Sequence, residues 1–392
     1  MWAVRKGWTR RRFLRTAALA GAAPLIARRA WAGDAAPGAA KPGAGPAPGR
    51  PFAIGHGERL LVIAPHPDDE TIGAAGLIQQ VLGQGGTVRV LLLTAGDGYV
   101  EAVVRETGEL QPRPAQFIAY GERRLREARA AMRQLDHDRI RLQIMGFPDG
   151  GLNDLLRAHW RRSNPERSRT TGASDPPYDA EVIDPDIPYD GADLRHELGN
   201  IIREARPTIV ALPDPLDTHP DHHAAGVFTL LATADWLHAS AAGKGVAPKL
   251  LAYLVHWPAW PPGWDAVDPA LVADSALTLP AGLSARGLGR VSVALDERQV
   301  AAKRAALARY ASQQEVMASF LAAFVRHDEP FTQLGASDMA SAGSLVEGPE
   351  APPLQSPAAA HGDVPAAGGS TPPAGATAPS PALAAGTVVA AH

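Results

Sequence analysis

Through the middle of the chain, short unbroken apolar blocks alternate with longer stretches in which apolar positions recur at helical spacing. Residues 60–64 (LLVIA) predict a strand buried on both faces, because no position is polar. Residues 70–83 predict a helix, stopped by Gly83 and the Gly85-Gly86 pair. Residues 87–94 (TVRVLLLT) predict the next strand. Helices are expected over 121–135 and 193–205, and strands over 141–145 and 208–212 (TIVAL). An apolar run at 250–255 precedes His256-Trp257-Pro258-Ala259-Trp260, a candidate wall of a crevice. Strands alternating with helices imply an α/β protein, a Rossmann-like three-layer fold with a mostly parallel sheet. Residues 153–192 interrupt the rhythm with Pro, Asp, Ser and Arg, and are expected to form a surface insertion near the site.

Both ends of the chain lack this pattern. Residues 33–51 are rich in Pro, Gly and Ala and read as a linker. From residue 335 onward the chain has no Lys or Arg and reads as a disordered Ala/Pro/Gly tail. The folded part is therefore expected over 52–334. Residues 1–32 read as a twin-arginine signal peptide: Arg10-Arg11-Arg12-Phe13-Leu14, an Ala-rich stretch, then Ala30-Trp31-Ala32 as a cleavage site. Its apolar part, of about 12 residues, is too short to cross a bilayer. The expectation is export to the periplasm or the extracellular space, with no integral membrane span.

Charge sharpens this. Eight of the 38 Lys/Arg lie in residues 1–32, which contain no Asp or Glu. Without them 30 basic residues face 41 acidic ones, a net charge of −11. That balance argues against nucleic acid as a partner. With no cysteine in the chain, any metal must be held by His, Asp or Glu.

Such residues gather directly after two predicted strands. His66-Pro67-Asp68-Asp69-Glu70 follows the first, and Asp217-Thr218-His219-Pro220-Asp221-His222-His223 follows TIVAL. In open α/β sheets ligands sit beyond the carboxyl ends of the strands, so the two clusters can converge across one crevice. A His/Asp pair after one strand is more often a turn or cap. Its recurrence after a second strand favours a metal site. A site of two His and one Asp leaves a coordination position open, the layout of catalytic zinc. The same ligands accept iron(II).

PHPDDE followed by HPDH resembles the LmbE-like (PIG-L) family of metal-dependent N-acetylglucosaminyl deacetylases. Supporting matches are Leu93-Thr94-Ala95-Gly96-Asp97-Gly98, Arg124-x-x-Glu127, Gly146-Phe147-Pro148-Asp149-Gly150, and Lys303 with Tyr310-Ala311-Ser312-Gln313. The resemblance covers about residues 58–331; the 153–192 segment has no clear match in it. It implies that His66, Asp69 and His222 bind the metal and that Asp68 is the general base. It implies that His219 is a cation stabilising the oxyanion, and that Arg124 and Asp149 contact the sugar. Asp221 is expected to orient His219 or to act as an outer partner of the ligands.

The resulting expectation is an exported, zinc-dependent hydrolase that removes acetate from an N-acetylated amino sugar or its conjugate. Two rivals share the residues. A metal-dependent phosphoesterase would usually need a second metal and more carboxylates. A non-catalytic glycan-binding module would need neither a base at Asp68 nor an oxyanion donor at His219.

Overall fold

Strand formation begins earlier than the apolar pattern suggests. In the computed structural model, which describes residues 49–178, 182–240, 247–264, 276–283 and 286–345, Arg50–Pro51 (β1) pairs with Val291 and Ser292. The last residues of the expected linker thus belong to the sheet. Gly49 sits so close to Val291 that a Cβ would lie 2.6 Å from its backbone carbon. The expected signal peptide, the rest of the linker and residues 346–392 lie outside the described residues.

The apolar block becomes β2 (Arg59–Ala64), followed by α1 (Asp69–Gly83), β3 (Thr87–Thr94), α2 (Val100–Thr107), α3 (Pro114–Leu135) and β4 (Ile140–Phe147). Next come α4 (Leu152–Arg157), α5 (Gly191–Ala205), β5 (Ile209–Pro213), α6 (Pro220–Ser240) and β6 (Lys249–Tyr253). The chain continues through β7 (Gly289–Ala294), α7 (Glu297–Leu307), α8 (Ala311–Ala322), β8 (Asp328–Leu334) and α9 (Ala336–Ala342). The eight strands form one sheet in the order β1-β7-β8-β6-β5-β2-β3-β4. Pairing is parallel except where β8 runs antiparallel to β6 and β7. The sheet is mostly parallel, as expected, with this antiparallel insertion.

Chain order explains where a site forms. From β2 the chain moves outward to β3 and β4, then returns to place β5 on the other side of β2. The carboxyl ends of β2 and β5 are therefore neighbours whose connections diverge, which opens a crevice between them. Leu61, Ile63, Val210 and Leu212 have no solvent exposure, so both strand ends are set on rigid core.

Two expectations fail locally. The 334 boundary falls before α9, which packs on α6 with Asp338 and Ala342 buried. Composition hid it, because Ala and Ser suit a short helix as well as a tail. The 153–192 segment is no surface loop: Trp160, Tyr178 and Tyr189 are buried. Trp160 stacks on Phe228 at 6.0 Å, and the Tyr189 hydroxyl donates to the Gly146 carbonyl at 2.8 Å. Among the described residues no helix is long and apolar enough to cross a membrane.

Candidate metal centre

After β2 the chain turns sharply through His66, Pro67 and Asp68 into α1. Asp69, in the first turn, places its Oδ2 3.0 Å from the His66 backbone N–H and 3.1 Å from His66 Nδ1. A carboxylate is favoured at a helix N-terminus, so the turn that starts the helix also joins the two side chains. After β5 the loop reaches Pro220, which opens α6 as proline commonly does, and His222 follows in its first turn. His222 Nε2 lies 3.2 Å from the same Asp69 Oδ2. His66, Asp69 and His222 thus bring one potential ligand atom each to a common point, all within 4.8 Å of one another.

The surroundings fit a metal. His66 Nε2 faces Asp149 Oδ1 at 3.1 Å and Asp221 Oδ2 at 3.2 Å. His222 Nδ1 faces Asp217 Oδ2 at 3.4 Å. Each imidazole therefore has a carboxylate behind the nitrogen that points away from the centre, the arrangement that orients histidine ligands. Neither nitrogen of the fully buried His222 makes a hydrogen bond of good geometry. Such an orphan is what a nitrogen meant for a metal looks like without one. Burial opposes protonation of His222, but Asp69 and Asp217 outweigh it and raise its pKa to about 9.

A second grouping, His66 with His219 and Asp221, shares His66. Its members are already engaged. His219 Nδ1 accepts the Asp221 backbone N–H at 3.2 Å, and Asp221 accepts from the N–H groups of Gly150 at 2.7 Å and Leu152 at 3.0 Å. The first grouping is the better ligand set.

Asp68 stands beside the ligands with a φ of 129°, a backbone conformation strained for any residue but glycine. Its carboxylate is buried, which together with Asp69 and Glu70 raises its pKa to about 8 against the pull of Arg124.

Several sequence-derived roles shift. His219 was expected as a cation; burial and the neighbouring histidines hold its pKa at about 4. Its occupied Nδ1 leaves Nε2 to carry the proton of the neutral ring. Of the two roles open to Asp221, the carboxylate takes the outer-partner one, behind His66, while its backbone N–H reaches His219. Arg124, 4% exposed, is not free for a sugar: it donates to the carbonyls of Pro67 (2.6 Å) and Gly96 (2.8 Å) and to Asp68 Oδ2 (3.3 Å). Asp149 is likewise engaged by His66 and by the Gly98 N–H at 2.5 Å.

Asp217, which had been given no role, joins the centre, and so does His256, expected at a wall of the crevice. Asp217 accepts from the backbones of His219, Val255 and His256. The His256 ring lies 4.8 Å from that of His222 and 5.0 Å from that of His219. The available signal was a third strand end, since His256 follows β6, which adjoins β5. Asp97 accepts from Thr170 at 3.1 Å, so the 153–192 segment reaches the crevice. His223 points elsewhere and donates to the Pro215 carbonyl at 2.6 Å.

Residues 61–233 match the PIG-L family, described as GlcNAc-PI de-N-acetylase. The chain is also 30% identical over 276 residues to the 1D-myo-inositol 2-acetamido-2-deoxy-alpha-D-glucopyranoside deacetylase of Tsukamurella paurometabola, covering 66% of this chain and 84% of that protein. The chain belongs to the PIG-L family. The PIG-L match contains His66, Asp68, Asp69, Arg124, Asp149, His219, Asp221 and His222. A second relative is the diacetylchitobiose deacetylase of Thermococcus kodakarensis, 27% identical over 180 residues. That alignment covers 45% of this chain and spans about half of the relative, 49%. Among solved structures, the N,N'-diacetylchitobiose deacetylase from Pyrococcus horikoshii aligns with a TM-score of 0.41 at 18% identity, covering 70% of this chain and 82% of that one.

Proposed function

We propose that this PIG-L protein is a zinc-dependent deacetylase acting on an N-acetylated amino sugar of the N-acetylglucosamine type, free or conjugated. The observation that carries the reading is the convergence of His66 Nδ1, Asp69 Oδ2 and His222 Nε2, with a carboxylate behind each imidazole. The deacetylase activities of its relatives point the same way.

His66, Asp69 and His222 would hold the ion. A zinc ion in such a site polarises an amide carbonyl and makes water acidic enough to attack at neutral pH. The protein supplies the rest. Asp68 takes the proton from the attacking water and returns it to the departing amine. A raised pKa suits a group that must both accept and donate near neutrality. His219 offers its Nε2–H to the carbonyl oxygen as negative charge develops; one such donor is worth about 3 kcal/mol. A neutral imidazole serves here because the donor is fixed before reaction. Arg124 and Glu70 hold the Asp68 turn, and Asp217 and Asp149 hold the histidines.

The phosphoesterase reading is disfavoured because the two metal-competent groupings among the described residues share His66 and make one centre. The binding-module reading leaves unexplained why a strained, buried carboxylate is kept beside the ligands. The test is acetate release from a panel of N-acetylated amino sugars and their conjugates, with zinc or with chelator. Chelator-sensitive acetate release supports the proposal; phosphate release from phosphoesters instead overturns it.

Export by the twin-arginine route is part of the same proposal, supported by Arg10-Arg11-Arg12-Phe13-Leu14. Changing Arg10, Arg11 and Arg12 together to Lys should retain the precursor in the cytoplasm. Normal export of that variant would refute the route.

A further inference from the structure

We infer that Tyr310 and Glu70 form a positioning pair that holds Asp68 in its working conformation; the inference rests on Asp68 being the base proposed above. Asp68 is the N-cap of α1, and an aspartate there normally turns its carboxylate inward to accept a helix N–H. Asp68 does not: its side chain makes no cap hydrogen bond. Its carbonyl still accepts from Thr71 (2.9 Å) and Ile72 (2.8 Å), so the helix starts normally. The strained φ of 129° is what turns the carboxylate away from the helix.

A strained backbone conformation must be held from outside. Glu70 does this by accepting the Asp68 N–H on Oε2 at 3.1 Å. Glu70 is itself fully buried, and a lone buried carboxylate would be unfavourable. Its Oε1 accepts from the hydroxyls of Thr71 (2.7 Å) and Tyr310. Tyr310, also fully buried, is anchored from the far end of the chain at the start of α8. There Ser312 donates to both oxygens of Glu127 (3.0 and 2.6 Å) and Gln313 donates to Tyr120 (2.9 Å). The Tyr310-Ala311-Ser312-Gln313 segment thus acts on the Asp68 turn through one carboxylate.

The full-length zinc-loaded protein tests this by acetate release, zinc content and amide exchange of the 66–72 segment. Tyr310→Phe removes one hydroxyl. It should keep its zinc, leave KM within about twofold, lower kcat about tenfold and speed exchange at 66–72. Glu70→Gln should retain most of kcat, because its one oxygen can still accept the Asp68 N–H while its amide faces the hydroxyl oxygens. Glu70→Ala should lose about 100-fold; should it fail to fold, Tyr310→Phe decides. Wild-type kcat in Tyr310→Phe, or a loss that appears in KM or tracks lost zinc, overturns the inference. Asp68→Asn in the same series separates the two levels. If it stays active, the assignment of the base fails; if it is inactive while Tyr310→Phe is normal, only the positioning role fails.

Discussion

Asp217 stands behind His222, its Oδ2 3.4 Å from His222 Nδ1, on the side away from Asp69. The same oxygen accepts from the backbones of Val255 and His256, so it cannot swing away. It leaves Nε2 as the His222 nitrogen that faces Asp69, the one proposed to bind zinc. Asp217→Asn should therefore weaken zinc binding by about 10- to 100-fold although no ligand is removed. Competition with a chromogenic chelator measures this; unchanged affinity would show that Asp217 only ties the loop.

Zinc uptake should be strongly pH-dependent. Without metal, His222 keeps its proton up to about pH 9, because Asp69 and Asp217 outweigh its burial. The His66 pKa is also raised well above the ordinary value, with Asp149 prevailing over burial. Binding must displace these protons. Apparent affinity should rise at least tenfold per pH unit between about pH 6 and 8. Calorimetry in buffers of different ionisation enthalpy should find between one and two protons released per zinc. Release of none would contradict the ligand assignment.

Arg124 separates two accounts of one motif. Its guanidinium ties Pro67 and Gly96, the loops after β2 and β3, to Asp68. Arg124→Lys loses that fork. The expected result is a 10- to 100-fold fall in kcat with KM within about twofold. A selective rise in KM would restore the sugar-contact role.

Away from the centre, Asp190 caps α5 by accepting the Asp193 N–H at 2.9 Å on Oδ1, while Oδ2 is buried without a partner. Burial raises its pKa to about 6. The folded state thus binds this proton more tightly than the unfolded chain, where the value is about 3.9. Its contribution to stability is full below about pH 4 and is lost as pH rises through about 6. Asp190→Asn keeps the cap and removes the charge. Its Tm should exceed wild type by about 2–4 °C at pH 7.5, with the gap closing at pH 4. A constant gap across pH would reject this cause.

What the sequence disclosed followed physical range. β2 and β5 were legible because strands buried on both faces are wholly apolar, and the clusters of His66–Asp69 and His219–His222 were legible because each is local. β7 and β8 were not: their burial alternates and their pairing spans the chain. The contacts of Arg124 with the Pro67 and Gly96 carbonyls were not legible, because a buried arginine and a substrate-facing one look alike in sequence. The charge of His219 was no more legible: it depends on burial and on His66 and His222, and its tautomer on one backbone N–H. The contact of Tyr310 with Glu70 was not legible, because the two lie 240 positions apart.

The central claim is that adjacent carboxylates do different work, Asp69 holding the metal and Asp68 moving the proton. Acetate released per bound zinc in Asp68→Asn measures it directly. This variant should bind zinc like the wild type while turnover per zinc falls by about 100-fold or more. Near-normal turnover per zinc, or a variant that no longer holds zinc, would contradict it.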